Sequence, residues 1–158
     1  MAPLADTRKL LYELEKTAGA LPLSLRAFYE IVGSIDLRGR HPSLCPVKGS
    51  ICPDPLVVFP LDEVLAEAQE MAADADDDLR LVLAPDDIHK AGESGGAPYE
   101  IAVPEQRADG EFLNERHELL FVDYLRLCFQ FGGFPGYEGY DHGVPPEIET
   151  LRAGLQEF

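Results

Sequence analysis

The chain has 158 residues, of which 13 are Lys or Arg and 29 are Asp or Glu, so its formal net charge is −16. A chain of this length fits one domain, and an apolar fraction of 46% is enough to build a buried core. The charge argues against binding to nucleic-acid phosphates or to an anionic membrane surface, because both need clusters of Lys and Arg.

The N-terminal part predicts two helices. Leucines recur at helical spacing over residues 4–18, and Gly19 ends that segment. Pro22 opens a second helix over residues 23–32, which Gly33 stops. Residues 35–37 predict a short strand, and the Pro- and Gly-rich residues 39–55 predict a loop.

Strands dominate the predicted middle of the chain. The apolar residues 56–59 predict a buried strand, and Pro60 separates it from a third helix over residues 61–73. In that helix we expect Leu65, Ala68 and Ala72 to face inward. Further strands are predicted over residues 79–84, 99–103 and 111–113, with a turn at residues 85–87.

Two helices are predicted near the C-terminal end. The stronger covers residues 119–131, where apolar residues recur at i, i+3, i+4, i+7 and i+8, namely Phe121, Tyr124, Leu125, Cys128 and Phe129. Pro145 opens the last helix, with Ile148, Leu151 and Leu155 on one face. This order predicts an α+β fold: a single domain over residues 1–158, with a mostly antiparallel twisted sheet and packed helices at both termini.

The acidic residues are unevenly distributed. Seven bases and six acids give residues 1–59 a charge of +1, whereas one base and ten acids give residues 60–87 a charge of −9. Five bases and thirteen acids give residues 88–158 a charge of −8. The densest run, Asp74–Asp78, is typical of a solvated loop that keeps a protein soluble; the alternative is a docking surface for a basic protein. It lacks the ligand spacing of a calcium loop.

Two patterns suggest chemistry, and we interpret both as structural. Gly92–Gly96 matches G-x-S-x-G around Ser94, but neither a strand before it nor a helix after it is predicted, as a nucleophile elbow would require. Cys45, Cys52 and His41 lack the close paired spacing of a zinc site, so free thiols are the simpler interpretation. The chain shows no dinucleotide fingerprint and no Walker loop, and we therefore expect no metal, no cofactor and no enzymatic activity.

Three observations bear on location. The number of cysteines is odd, which favours reduced thiols in a cytoplasm over a disulfide framework. No apolar segment follows a basic start, so we expect no signal peptide. The longest apolar run, residues 56–59, is far shorter than the ~20 residues that span a bilayer.

The segment Phe129–Tyr137 joins the end of a helix, two glycines and an aromatic-Pro-Gly-aromatic run. We interpret it as a structural corner that packs Phe134 and Tyr137 onto the core; the alternative is an aromatic binding platform.

Four segments in order resemble the SUKH superfamily over roughly residues 8–158. The first is the L-P-x-x-x-x-x-F-Y pattern of residues 21–29. The others are Asp54-Pro55-Leu56, the turn and strand of residues 94–99, and residues 121–126 leading to Gly132-Gly133-Phe134-Pro135-Gly136. Tyr137 stands where the family frequently has Trp.

The resemblance implies an α+β fold with helices against a twisted sheet, and non-enzymatic roles. Bacterial members are mostly immunity proteins that neutralise a cognate toxin, and fungal members regulate cell-wall synthesis through protein contacts. We therefore predict a cytoplasmic immunity protein that occludes a basic toxin domain; the alternative is a regulatory or scaffold protein of the same fold. The predicted partner contacts are Asp74, Asp76, Asp77, Asp78, Asp86 and Asp87, with Tyr99 as a weaker candidate.

Overall fold

The structure is a computed structural model that describes residues 1–39, 44, 53–74, 79–139, 143–153 and 155. For Asp74 only the backbone is described. The predicted loop cysteines Cys45 and Cys52, together with His41, lie outside the described residues.

The described chain contains six α-helices and five strands. In order they are α1 (Thr7–Ala18), α2 (Leu23–Ile31), β1 (Ile35–Asp36), β2 (Val57–Val58), α3 (Leu61–Asp74), β3 (Arg80–Ala84), α4 (Asp87–Lys90), β4 (Tyr99–Ala102), β5 (Phe112–Leu113), α5 (Phe121–Gln130) and α6 (Pro146–Arg152). A 3₁₀ turn at Pro135–Tyr137 separates α5 from α6.

The described strands form two small antiparallel sheets. In the first, β1 pairs with β2, with Ile35 opposite Val58. In the second, β4 lies between β3 and β5, with Ile101 opposite both Leu81 and Phe112. The α+β class and the antiparallel pairing are therefore confirmed, although the strands divide into two sheets rather than one. No finding tests whether residues 1–158 form a single domain, which stays a prediction.

The helices pack through the apolar faces that their spacing predicts. Leu11 and Leu14 of α1 are buried and α1 packs on α3, whose buried face includes Leu61, Val64 and Ala68. Ala72, expected to face inward, is exposed. In α5 the predicted residue Cys128 is fully buried, as expected of a core position.

Aromatic rings fill the space between the second sheet and helices α2 and α5. Phe112 of β5 lies 5.6 Å from Phe121 and 4.6 Å from Tyr124, measured between ring centroids. Phe28 of α2 meets Phe121 edge to face at 5.5 Å. Such pairs stabilise by about 0.5–1.5 kcal/mol beyond the area they bury.

One short helix was not predicted. Residues 85–87 were expected to form a turn, but Asp86 begins α4, and its carboxylate accepts hydrogen bonds from the N–H groups of Ile88 and His89. An Asp before a short polar segment favours a turn and a helix cap equally, so the local sequence does not distinguish the two outcomes.

The predicted corner after α5 is a second, smaller cluster. Gly132 and Gly133 both have positive φ, of 62° and 95°, and they reverse the chain. Phe134 and Tyr137 are buried with Leu44 and Ile148, beside the main core rather than in it. The Tyr137 hydroxyl donates to the Leu44 carbonyl at 2.9 Å.

Backbone contacts join this corner to the segment before β2. The Leu56 N–H donates to the Gly133 carbonyl at 2.8 Å. A Cβ on Gly136 would lie 2.6 Å from the carbonyl carbon and oxygen of Pro53. The glycine is therefore required by close packing of two backbones rather than by its φ.

Replacing Gly136 with Ala should lower the free energy of unfolding by about 1–3 kcal/mol, because the methyl group would force Pro53 and the corner apart. Urea denaturation measures the change. Gly139→Ala is the matched control, since nothing lies within 4 Å of a Cβ there, and it should change stability by less than about 0.5 kcal/mol. Equal effects of the two substitutions would contradict the packing argument.

Candidate functional site

Helix α3 presents an acidic surface to solvent. Its buried residues recur at positions 61, 64, 65 and 68, so the intervening acids point outward. We call the exposed Asp62, Glu63, Glu67 and Glu70 the α3 acidic face. The helix contains no Lys, Arg or His that could neutralise it from within.

The charge of this face is compensated only in small part, at Glu63, whose negative charge acts on the Arg38 guanidinium. None of the four carboxylates forms an ion pair with a described residue, whereas exposed acids elsewhere do, such as Asp36 with Arg38 at 2.6 Å and Asp123 with Arg126 at 2.8 Å. The pKa of Glu67 is raised by desolvation and then by the negative charges of Glu100 and Glu70. The folded chain thus holds like charges together at this face.

The predicted acidic run continues from the end of α3. Asp74 is its last residue, which places the run in sequence directly after the α3 acidic face. Asp76, Asp77 and Asp78 lie outside the described residues. Their predicted role as partner contacts, and that of Asp74, stays a prediction.

Asp86 and Asp87 have different environments. Asp86 is 4% exposed; burial opposes its ionisation, but hydrogen bonds from His89 and Ile88 outweigh that effect and lower its pKa. Its Oδ2 also contacts Nδ1 of His89. The Asp86 carboxylate is thus engaged at the start of α4, and its role as a partner contact stays a prediction. Asp87 is exposed and stays a candidate.

Tyr99 is also buried, at 3% exposure, and it belongs to a polar cluster in the interior. The Lys90 Nζ lies 4.3 Å from the centre of the Tyr99 ring and 2.7 Å from Asp54 Oδ1. The Tyr99 hydroxyl donates to the same oxygen at 3.4 Å, and the Lys90 ammonium donates to the Tyr124 hydroxyl at 3.5 Å. The role of Tyr99 as a partner contact stays a prediction.

The buried cluster is suited to holding the fold together rather than to catalysis. The Lys90 side chain has no exposed surface, so no substrate reaches its amine. Burial raises the pKa of the Tyr99 and Tyr124 hydroxyls and of the Cys128 thiol, and all three stay protonated. Sequence reasoning missed Lys90, because a single Lys in a short polar segment ordinarily faces solvent.

The G-x-S-x-G pattern lies in an exposed loop between α4 and β4. It follows a helix and precedes a strand, the reverse of a nucleophile elbow. Within the described part of the chain, no hydrogen bond joins the Ser94 hydroxyl to a histidine. His89 instead contacts Asp86, and His117 lies between Glu115 and Glu138.

The described residues form neither a metal-binding cluster nor a membrane-spanning helix. No three or more of their His, Cys, Asp and Glu side chains are grouped so that they could hold a metal ion. None of the helices so described combines the length and the apolar character needed to cross a bilayer.

Comparison with known proteins found no matching family model, no matching curated protein and no matching solved structure. The acidic face and its neighbourhood therefore carry the functional argument.

Replacing Lys90 with Met should lower the free energy of unfolding by about 3–5 kcal/mol, because it leaves the Asp54 carboxylate buried without its cation. Chemical denaturation measures the loss. In the double variant with Asp54→Asn part of the stability should return, since a neutral amide replaces the stranded charge. A single variant that is as stable as the wild type would contradict the role assigned to this pair.

Replacing Glu67 with Gln should raise the free energy of unfolding at neutral pH by a few tenths of a kcal/mol, a small value because solvent screens this exposed group. The folded-state pKa of Glu67 is raised, so the wild type is destabilised as pH rises above the ordinary value of 4.5 and Glu67 ionises. The two proteins should be equally stable well below that pH. Urea denaturation of the wild type and the variant, at neutral pH and well below pH 4.5, tests this. Glu93→Gln in the exposed loop is the control and should change stability at neither pH.

Proposed function

We propose that this chain is a cytoplasmic, non-enzymatic protein-binding module, and that it acts as an immunity protein that neutralises a cognate bacterial toxin by occlusion. The observation that carries the proposal is the α3 acidic face, which holds four exposed carboxylates, none of which forms an ion pair with a described residue. The resemblance to the SUKH superfamily supplies the class of function.

The electrostatics favour a basic partner. The raised pKa of Glu67 means that its ionised form is disfavoured by burial and by its acidic neighbours in the free protein. Lysine or arginine side chains of a partner would offset the repulsion between these carboxylates. Loss of that repulsion would then contribute to the binding free energy.

Toxins that act on nucleic acids fit this requirement. An enzyme that cleaves DNA or RNA needs a cationic surface to hold phosphates. An acidic protein that covers such a surface excludes the substrate without any chemistry of its own. Opposite charges also accelerate the encounter, which matters for an inhibitor that must act before the toxin does.

The experiment uses the toxic protein encoded beside this chain in its native genome. Co-expression with the chain should restore growth of a host that the toxin alone kills. If no neighbouring product is toxic, or if the chain gives no protection, the immunity proposal is wrong and the regulatory alternative is favoured.

The role of the acidic face is tested by the rate of association with that toxin. Neutralising the face with Asp62→Asn, Glu63→Gln, Glu67→Gln and Glu70→Gln should lower the association rate constant at low salt by about tenfold, with a smaller effect at high salt. Stopped-flow fluorescence measures the rate.

A control variant of equal net charge separates local steering from total charge. It carries Asp6→Asn, Glu13→Gln, Glu93→Gln and Glu118→Gln, acids that form no ion pair with a described residue. Its association rate should stay within about twofold of the wild type. Equal slowing of the two variants would show that only total charge matters and that α3 is not the contact surface.

A further inference from the structure

An apolar cavity of about 150 Å³ opens at the start of α3, beside the acidic face. Its walls come from the first residues of the chain, the end of α2 and the Pro60-Leu61 step into α3. The lining residues are Met1, Ala2, Leu4, Thr7, Tyr29, Gly33, Ser34, Pro60 and Leu61. Asp62 and Glu63 follow Leu61 directly and are exposed.

Close packing of backbone fixes one wall of the cavity. Gly33 has a φ of 91°, and a Cβ there would lie 2.7 Å from the Met1 carbonyl oxygen and from the Pro3 nitrogen. The Ser34 N–H donates to the Met1 carbonyl at 3.2 Å. The first residues are therefore held against the turn between α2 and β1, and the cavity is already formed in the unbound chain.

Two of the three side-chain hydroxyls in the lining donate to backbone carbonyls, and the Met1 ammonium donates to the Ser34 carbonyl. Tyr29 donates to the Phe59 carbonyl at 3.2 Å, and Thr7 donates to the Leu4 carbonyl at 2.7 Å. A water molecule needs two to four free polar partners to occupy such a space favourably. An apolar group needs none, and about 150 Å³ of apolar cavity is enough to admit benzene.

Two of the lining side chains are exposed and apolar, and two more exposed apolar residues come just before the lining residue Gly33 in sequence. Met1 is 75% and Leu4 38% exposed, and both line the cavity. Ile31, 76% exposed, and Val32, 39% exposed, immediately precede the lining residue Gly33. An apolar centre bordered by charge is the arrangement of a protein interface, in which a few side chains seated in pockets carry most of the binding energy.

We propose that this cavity receives one apolar anchor side chain, such as Leu or Phe, from the basic partner, while Lys or Arg residues flanking that anchor contact Asp62 and Glu63. The inference rests on the proposed function, since it takes the partner's positive charge from there. It adds the place where the partner is held and the sequence character of the segment that is held: basic residues around a single apolar one.

The test uses two synthetic heptapeptides of Lys and Arg, identical except for a central Leu or a central Ala. Each is titrated into the full chain at low ionic strength and followed by amide chemical shifts. The Leu peptide should bind about tenfold more tightly, as expected when a Leu side chain becomes buried. Only the Leu peptide should shift the amides of Gly33, Ser34 and Leu61, whereas both peptides should shift those of Asp62 and Glu63.

A cavity-filling variant provides the second measurement. Ala2 is exposed at the opening, so Ala2→Phe can place a ring over the cavity without disturbing the core. This variant should bind the two peptides with equal affinity. Ala91→Phe, at an exposed position after α4, is the matched control and should keep the tenfold preference.

The outcomes separate the two proposals. If both peptides bind equally and shift only α3 acids, the anchor inference is wrong while the acidic docking surface stands. If the Leu peptide is preferred but Ala2→Phe does not abolish the preference, the anchor site lies elsewhere and the inference is again wrong. If neither peptide binds, or if neutralising Asp62 and Glu63 changes nothing, the proposed acidic contact surface itself fails.

Discussion

The buried ion pair between Lys90 and Asp54 is the interaction on which the arrangement of the other elements depends. Lys90 ends α4, Asp54 precedes β2, and the ammonium also contacts Tyr99 of β4 and Tyr124 of α5. Four separate segments thus meet at one cation. A buried charge is stable only with its partner in place, so each of these segments is restricted to one position relative to the others.

The secondary structure could be predicted because apolar spacing determines which face of an element is buried. Leu11 and Leu14 in α1 are buried as that rule predicts, and so are Phe121, Tyr124, Leu125 and Cys128 in α5, whereas Ala72 in α3 is exposed. The pairing of strands into two sheets could not be predicted in the same way, because β1, β2 and β5 are two residues long and a two-residue strand has no period.

The candidate site was predictable in part. The excess of acid in residues 60–87 is visible in the sequence, and helical spacing places Asp62, Glu63, Glu67 and Glu70 outside. The burial of Asp86 and Tyr99 was not predictable, because it depends on His89, Lys90 and Asp54, which pack there only in the folded chain. The cavity could not be predicted from the sequence either, because its walls come from three segments that are distant in sequence.

The cavity and the α3 acidic face are adjacent, so one partner segment could contact both. Leu61 lines the one, and Asp62 begins the other. A partner segment that lies along α3 would therefore meet an apolar contact first at one end and charge along the rest of its length.

The same distribution of charge has a consequence for α3 itself. Asp62 and Glu63 in the first turn favour α3 through the helix dipole, whereas Asp74 at its negative end and the repulsion between Glu63 and Glu67, four residues apart, oppose it. It is held by the apolar residues that pack on α1 and the sheet. A cationic partner would remove that opposition, so its binding would also stabilise α3.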